Sequence, residues 1–299
     1  MKNNLFNAIR LQCERKGLSN DLKTLQAKAD ELNKRAQIAP IGQFQLPMQE
    51  LRGVIAESAQ TKVSEFVITP TPSIIERCRL LEGLQANPKF PIMRNHASRW
   101  ENESADTQDY TSVTLSPHRM YSEIVYSDTL IKSTDVTLQN ALTTDIVNDI
   151  YNKVEYTMFS DKDATDGNPL GLFNYVTPTE LSELSFVNAE KAFYESGAKN
   201  PLYIFSPSTY TAIRATYNDH FDNGKFNDIE YIITNNMQDD CILLADLNFL
   251  VVGLFGAVNI EVDDITKRIE GKVKLICNSY WDWNITNQNA FQCIKITTE

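Results

Sequence analysis

The chain is poor in the residues and patterns that mark catalysis or metal binding. Among its 299 residues are three histidines and five cysteines. His96, His118 and His220 lie far apart, and no HExxH, GxSxG, GxGxxG or Walker pattern occurs. Cys13, Cys78, Cys241, Cys277 and Cys293 form no CxxC pair and have no histidine close by. That spacing excludes a zinc ribbon or a disulfide framework as the organising feature and suits the reduced thiols of a cytosolic chain. The N-terminus lacks the apolar run of a signal peptide, so the acceptor-like triplets at Asn102 and Asn284 carry no weight. Excess positive charge is also missing. A net charge of −11 argues against a general nucleic-acid surface. Only one stretch is long and apolar, Ile242–Ile260, and it holds Asp246, Asn248, Asn259, Gly253 and Gly256. Near the middle of a membrane span Asp246 alone would cost about 2.5–3.5 kcal/mol, so the stretch reads as buried strands.

What is present is ordinary in composition and unusual in order. Apolar residues make up 42% and charged residues 22%, enough for one large soluble domain or two ordinary ones. Asn3–Lys16 and Asn20–Gln37 read as helices broken at Gly17, the second with Leu22, Leu25, Ala29, Leu32 and Ala36 on one stripe. Met1–Gln37 carries a local charge of +4, from Lys2, Arg10, Arg15, Lys16, Lys23, Lys28, Lys34 and Arg35 against four acids, leaving −15 elsewhere. A solvated helical face and a basic face turned towards nucleic acid both fit this pattern. Pro40, Gly42 and Pro47 read as a linker, Val63–Pro72 as an extended segment and Ser73–Gly83 as a short helix.

A polar loop from Pro91 follows, with alternating pieces at Tyr110–Leu115 and Tyr121–Val125 that suit a two-stranded ribbon. Loops beyond about 12–15 residues without structure of their own are uncommon and usually functional. Leu138, Leu142, Ile146, Ile150, Val154 and Met158 then fall four apart, which predicts a helix over Thr137–Ser160. Such a helix would be a rod roughly 36 Å long with one apolar stripe. Beyond Pro178 helices (Asn188–Ser196, Pro207–Tyr217) alternate with strands at Leu202–Phe205, Ile229–Thr234, Cys241–Ala245, Phe249–Val252 and Val258–Val262. Lys272–Ile285 and Ala290–Ile296 add two more strands. The fold class is α+β with mixed sheets.

Chemistry has few candidates. Asp161, Asp163 and Asp166 before Gly167 lack the Glu that an EF-hand needs at its twelfth position, where Leu172 stands. The loop acids Glu101, Glu103, Asp106 and Asp109 sit in a stretch too polar to form the pocket that a catalytic carboxylate requires. No catalytic residue, cofactor site or metal site is assigned. Trp100, between Arg99 and Glu101, is an anchor type favoured at interfaces, although packing within its own subunit also fits.

In their order these features resemble the major capsid proteins of tailed bacteriophages, the Hong Kong 97 fold. The resemblance rests on NLFNAIRLQ (Asn4–Gln12), GQFQLP (Gly42–Pro47), SRWENE (Ser98–Glu103), VTLSPHRMYSEIVYSDTLI (Val113–Ile131), PLGLF (Pro169–Phe173), PLYIFSPSTYTAIRA (Pro201–Ala215) and VKLICNSYWDWNITNQNAFQCIKI (Val273–Ile296). Each motif is loose; together they span nearly the whole chain.

The resemblance implies a division into an N-terminal helical arm (1–48), a lead into the body (49–90) and an extended loop (91–127). A peripheral domain (128–187 and 265–299) with a spine helix at 137–160 and an axial domain (188–264) would complete it. It implies a structural subunit, not an enzyme, that forms hexamers and pentamers of an icosahedral shell around double-stranded DNA. Arg94, Arg99, Trp100, Glu101, Glu103, Asp106, Asp109, Tyr110 and Arg119 would touch neighbouring subunits, and the basic N-terminal residues would face the interior. The implied partners are a portal, a maturation protease and a scaffolding protein separate from this chain, if any, with assembly in the bacterial cytoplasm, no membrane and no cofactor. Some members weld neighbours through a loop lysine, but none lies between Phe90 and Ile131 here, so no such cross-link is expected. A nanocompartment shell of the same fold, like the encapsulins, and a hydrolytic enzyme are the alternatives.

Overall fold

A computed structural model describes residues 4–39, 43–48, 73–85, 87–93, 110–132, 136–164, 167–182 and 184–296. The N-terminal helices are α1 (Asn4–Cys13) and α2 (Asn20–Arg35), followed by β1 (Phe44–Leu46). A 3-10 turn at Ile74–Arg77 leads into β2 (Arg79–Leu84). The loop stem is β3 (Lys89–Met93) and β4 (Tyr110–Thr114), then come β5 (His118–Ser127), the short α3 (Asp128–Lys132) and the long α4 (Val136–Met158). Next are β6 (Thr179–Glu180), α5 (Ser185–Glu195), β7 (Leu202–Phe205) and α6 (Pro207–Thr216). The chain ends through β8 (Phe221–Asp222), β9 (Lys225–Phe226), β10 (Ile229–Ile233), β11 (Cys241–Ala245), β12 (Leu250–Asp263), β13 (Lys272–Ile285) and β14 (Phe291–Lys295).

The first sheet runs β1-β12-β13-β5, with β2 parallel to the first half of β12. Antiparallel partners share a face, and successive residues alternate faces. Trp281 and Trp283 therefore point to one side, where α4 lies with Tyr151 edge-on to Trp281 at 6.1 Å. Polar bonds fix α4 to β5: the Ser122 hydroxyl donates to Asp149, and the Tyr126 hydroxyl lies 3.3 Å from the Leu142 carbonyl. Asn259 and its partner Asn278 face the other way, towards α2. The second sheet, β6-β14-β11-β7-β10-β9-β8, is packed with rings. Phe226 meets Phe186, Tyr203 and Phe205 edge-on at 5.0, 5.1 and 5.6 Å, arrangements that rings favour. One continuous core joins both sheets.

Several expectations need correction. Ser73–Gly83 is helical only for its first turn; the rest is β2, because pairing with β12 outweighs local preference. The two alternating loop pieces do not pair with each other: β4 pairs with β3, and β5 lies along ten residues of β13. Phe249 closes a 3-10 turn, and Leu250–Val252 and Val258–Val262 belong to one strand, β12, with an irregularity between Phe255 and Asn259. β12 is central to the first sheet, and β14 belongs to the second. The apolar stretch Ile242–Ile260 divides between β11 and β12, and among the described residues no helix is long and apolar enough to cross a membrane. Val63–Pro72 lies outside the described residues.

The irregularity in β12 explains a polar residue on the buried face of α2. Gly256 adopts φ +66°, and a Cβ there would stand 2.4 Å from Asn33 Oδ1. That oxygen accepts from the Ala257 amide at 2.8 Å, and Asn33 Nδ2 donates to Asn259 Oδ1 at 3.0 Å. Replacing Asn33 by alanine leaves a buried amide unpaired, so a loss of about 1–3 kcal/mol is expected. Urea denaturation of the unassembled subunit measures it, and an unchanged midpoint would refute this role.

Candidate assembly surface

The root of the loop is built from residues distant in sequence. Ala36, Ile38, Leu115, Val251 and Phe255 form a small core of their own, and Phe90 and Val113 of the stem pack against it. The Ser116 amide donates to Asp282 Oδ2 at 2.6 Å. Burial pushes the Asp282 carboxyl above its ordinary range, while the Ser116 and Trp283 amides and His118 pull it back. His118 Nδ1 lies 3.0 Å from the Gly167 carbonyl. Arg119 is exposed, yet its guanidinium donates to Asn278 Oδ1 at 3.0 and 2.6 Å and lies 5.9 Å from the Tyr121 ring. Tyr110 opens β4. Arg94, Arg99, Trp100, Glu101, Glu103, Asp106 and Asp109 lie outside the described residues, as does Lys2.

The other basic N-terminal residues are not gathered on one face. Lys23 and Lys34, eleven apart on α2, share one flank, while Lys28 and Arg35, seven apart, share the other. Acids are interspersed: Arg35 pairs with Glu31 and Lys16 with Glu14, both on exposed side chains. Arg10 Nη2 donates to Asn7 Oδ1 at 3.3 Å, and Arg15 is exposed with φ 54°.

Large apolar side chains stand exposed where sequence reasoning marked none. Ile265 and Ile269 are exposed between β12 and β13, Ile269 completely. Val187 and Tyr194, seven apart on α5, are exposed together with Leu184 just before the helix. Isoleucines inside the charged turn DDITKRIEG were the signal available for the first pair. His220 packs against Phe186 and Phe226 and contacts Asn227 Oδ1 at 2.6 Å. All five cysteines are free. The thiols of Cys241 and Cys293, diagonal neighbours on β11 and β14, are hydrogen-bonded to each other, not covalently linked. Among the described residues no group of three or more His, Cys, Asp or Glu side chains is placed to hold a metal ion.

A sequence model of the phage capsid family matches residues 68–296, from ahead of the 3-10 turn to the end of β14. The chain belongs to the phage capsid family. Helices α1 and α2 precede the matched region. No curated protein sequence matches this capsid chain. Solved capsid structures share its fold at low identity. The capsid of a native GTA particle, computed with C5 symmetry, is 11% identical with a TM-score of 0.57, covering 80% of this chain and 95% of that one. A Gordonia phage Cozz chain is 11% identical with a TM-score of 0.56, covering 80% and 91%. A chain of the satellite phage P4 procapsid is 10% identical with a TM-score of 0.54, covering 84% and 100%. The mixed helix-and-sheet fold is thus that of phage capsid subunits, and the role of the capsid chain is structural.

Proposed function

We propose that this major capsid protein assembles as hexamers and pentamers into an icosahedral shell around phage double-stranded DNA. The observation that carries the reading is the exposure of Leu184, Val187, Tyr194, Ile265 and Ile269 on separate elements of a capsid-family fold. Exposed apolar side chains of this size suit contacts with other copies. In this reading the loop of residues 94–121 reaches over a neighbour, α4 is the spine of a peripheral part, and most of 188–264 points towards the capsomer axis. The charge of −11 keeps nonspecific affinity for DNA low, and the flank of α2 that carries Lys23 and Lys34 faces the packaged DNA. Assembly takes place in the bacterial cytoplasm, with a portal, a maturation protease and any scaffold supplied by other chains.

Negative-stain microscopy of the purified protein tests this directly, and closed particles tens of nanometres across are expected. A strictly monomeric chain, even when co-expressed with the neighbouring structural genes, would overturn it. Boiled particles should run as one monomer band on denaturing gels. A ladder would refute the absence of a covalent weld.

A further inference from the structure

We propose that the N-terminal unit, residues 4–48, is a permanent strap of the subunit: it grips the first sheet on both faces, holds the root of the loop and stays in the mature particle. The unit lies ahead of the region shared with the capsid family. The inference rests on the capsid reading and adds to it the fate of this part. The grip is two-sided. α1 lies on the side of α4, where the Phe6 ring stands 6.2 Å from that of Tyr126, whose hydroxyl reaches the Leu142 carbonyl of α4. α2 lies on the opposite face, where Asn33 holds Asn259 and the Ala257 amide. β1 then closes the edge of β12, with Phe44 opposite Ile260 and Leu46 opposite Val258. The Gln45 amide donates to Gln26 Oε1 at 2.8 Å, and Gln43 Nε2 donates to the Val262 carbonyl at 2.9 Å.

A segment built to leave needs a surface beneath it that water can wet. This unit covers the opposite. Leu5, Phe6, Ile9, Leu22, Phe44 and Leu46 are each no more than 2% exposed and belong to the one core that joins both sheets. Beneath them Val258, Asn259 and Ile260 are fully buried. Without β1 those three residues would present an unpaired strand edge, a template for pairing with other chains. Departure would also strip Ala36 and Ile38 from the small core against which Phe90 and Val113 of the stem pack. The same helices that complete the sheet therefore fix the direction in which the loop leaves it.

The test uses the full chain with a site for a specific protease placed among residues 49–72 and cut after particles have formed. The fragment that carries residues 4–48 should sediment with the shells in equal amount with the body. It should remain through a wash in about 1 M salt, because apolar burial rather than charge holds it. Ile9→Ala together with Leu22→Ala should raise the released share about tenfold or more. Mass spectra of wild-type particles, made with the neighbouring structural genes, should contain peptides from residues 4–48, and they decide alone if the inserted site blocks assembly. At the loop root, the Leu115 amide donates to the Pro88 carbonyl at 3.2 Å. Ile38→Ala should speed its hydrogen exchange about tenfold or more and leave β11 unaffected. Intact shells that shed the cut fragment, or mature particles without residues 4–48, would overturn the strap and leave the capsid reading standing. Unchanged exchange at Leu115 would overturn its hold on the loop. A wild-type chain that never assembles would remove both readings.

Discussion

Gly171→Ala is expected to destabilise the subunit by about 3 kcal/mol, the upper end for an added methyl in a packed site. Backbone strain is not the cause, since φ −64° and ψ 148° suit any residue. Space is. A Cβ at this position would lie 2.1 Å from the Ser160 carbonyl oxygen, 2.7 Å from its carbon and 3.0 Å from the Lys162 nitrogen. All three are backbone atoms where the chain leaves α4, so no rotamer change relieves the clash. The segment is also held from both sides. The Gly171 amide donates to the Lys162 carbonyl at 2.9 Å, the Phe173 amide to the Ser160 carbonyl at 3.2 Å, and Trp283 Nε1 to the Leu170 carbonyl at 2.8 Å. The proline–glycine phrase Pro169–Phe173 is thus a tight reversal locked against the end of α4. Gly17→Ala is the control, because nothing lies within 4 Å of a Cβ there. Equilibrium unfolding in urea separates the two. A Gly171→Ala subunit as stable as the control would disprove the packing argument.

Glu155→Ala should cost a similar amount, about 3 kcal/mol, by orphaning several donors at once. The carboxylate is buried on the face of α4 that meets the 3-10 turn. Oε1 accepts from Ser73 Oγ and the Ile74 amide at 2.7 Å each, and from the Ile75 amide at 3.3 Å. Oε2 accepts from Asn236 Nδ2 at 2.9 Å, in the turn that precedes β11. One side chain therefore joins the lead into β2, the long helix and the second sheet. Glu155→Gln keeps an acceptor for the backbone donors but sets its amide against Asn236, so a smaller loss, about 1–2 kcal/mol, is expected. Hydrogen exchange should show faster loss of protection at Ile74 and Ile75 than at β13. Equal acceleration at both places, or no change at either, would contradict this local role.

Glu155 also illustrates what can be read from the chain and what cannot. The four-residue spacing from Leu142 to Met158 disclosed α4 almost to its ends, because a helix advertises its buried stripe locally. It did not disclose that Glu155 is buried, since its partners at 73–75 lie some eighty residues away. The same division holds for strands. Leu202–Phe205 and Cys241–Ala245 were legible as short apolar runs between turn residues, and Lys272–Ile285 as alternation. β2 was not legible, because its state is set by β12 rather than by its own residues. Among the candidate contact residues, Arg119 carried its positive charge visibly, but its engagement by Asn278 depends on the β5–β13 register.

The small core beneath the loop root has a mechanical consequence. Leu115 shares it with Ala36 and Ile38, so the stem cannot swing without prising the end of α2 from the sheet. Five buried side chains thereby set the stiffness of that joint. In a shell whose facets are flat and whose vertices are curved, that stiffness governs how far one subunit can flex to suit each place.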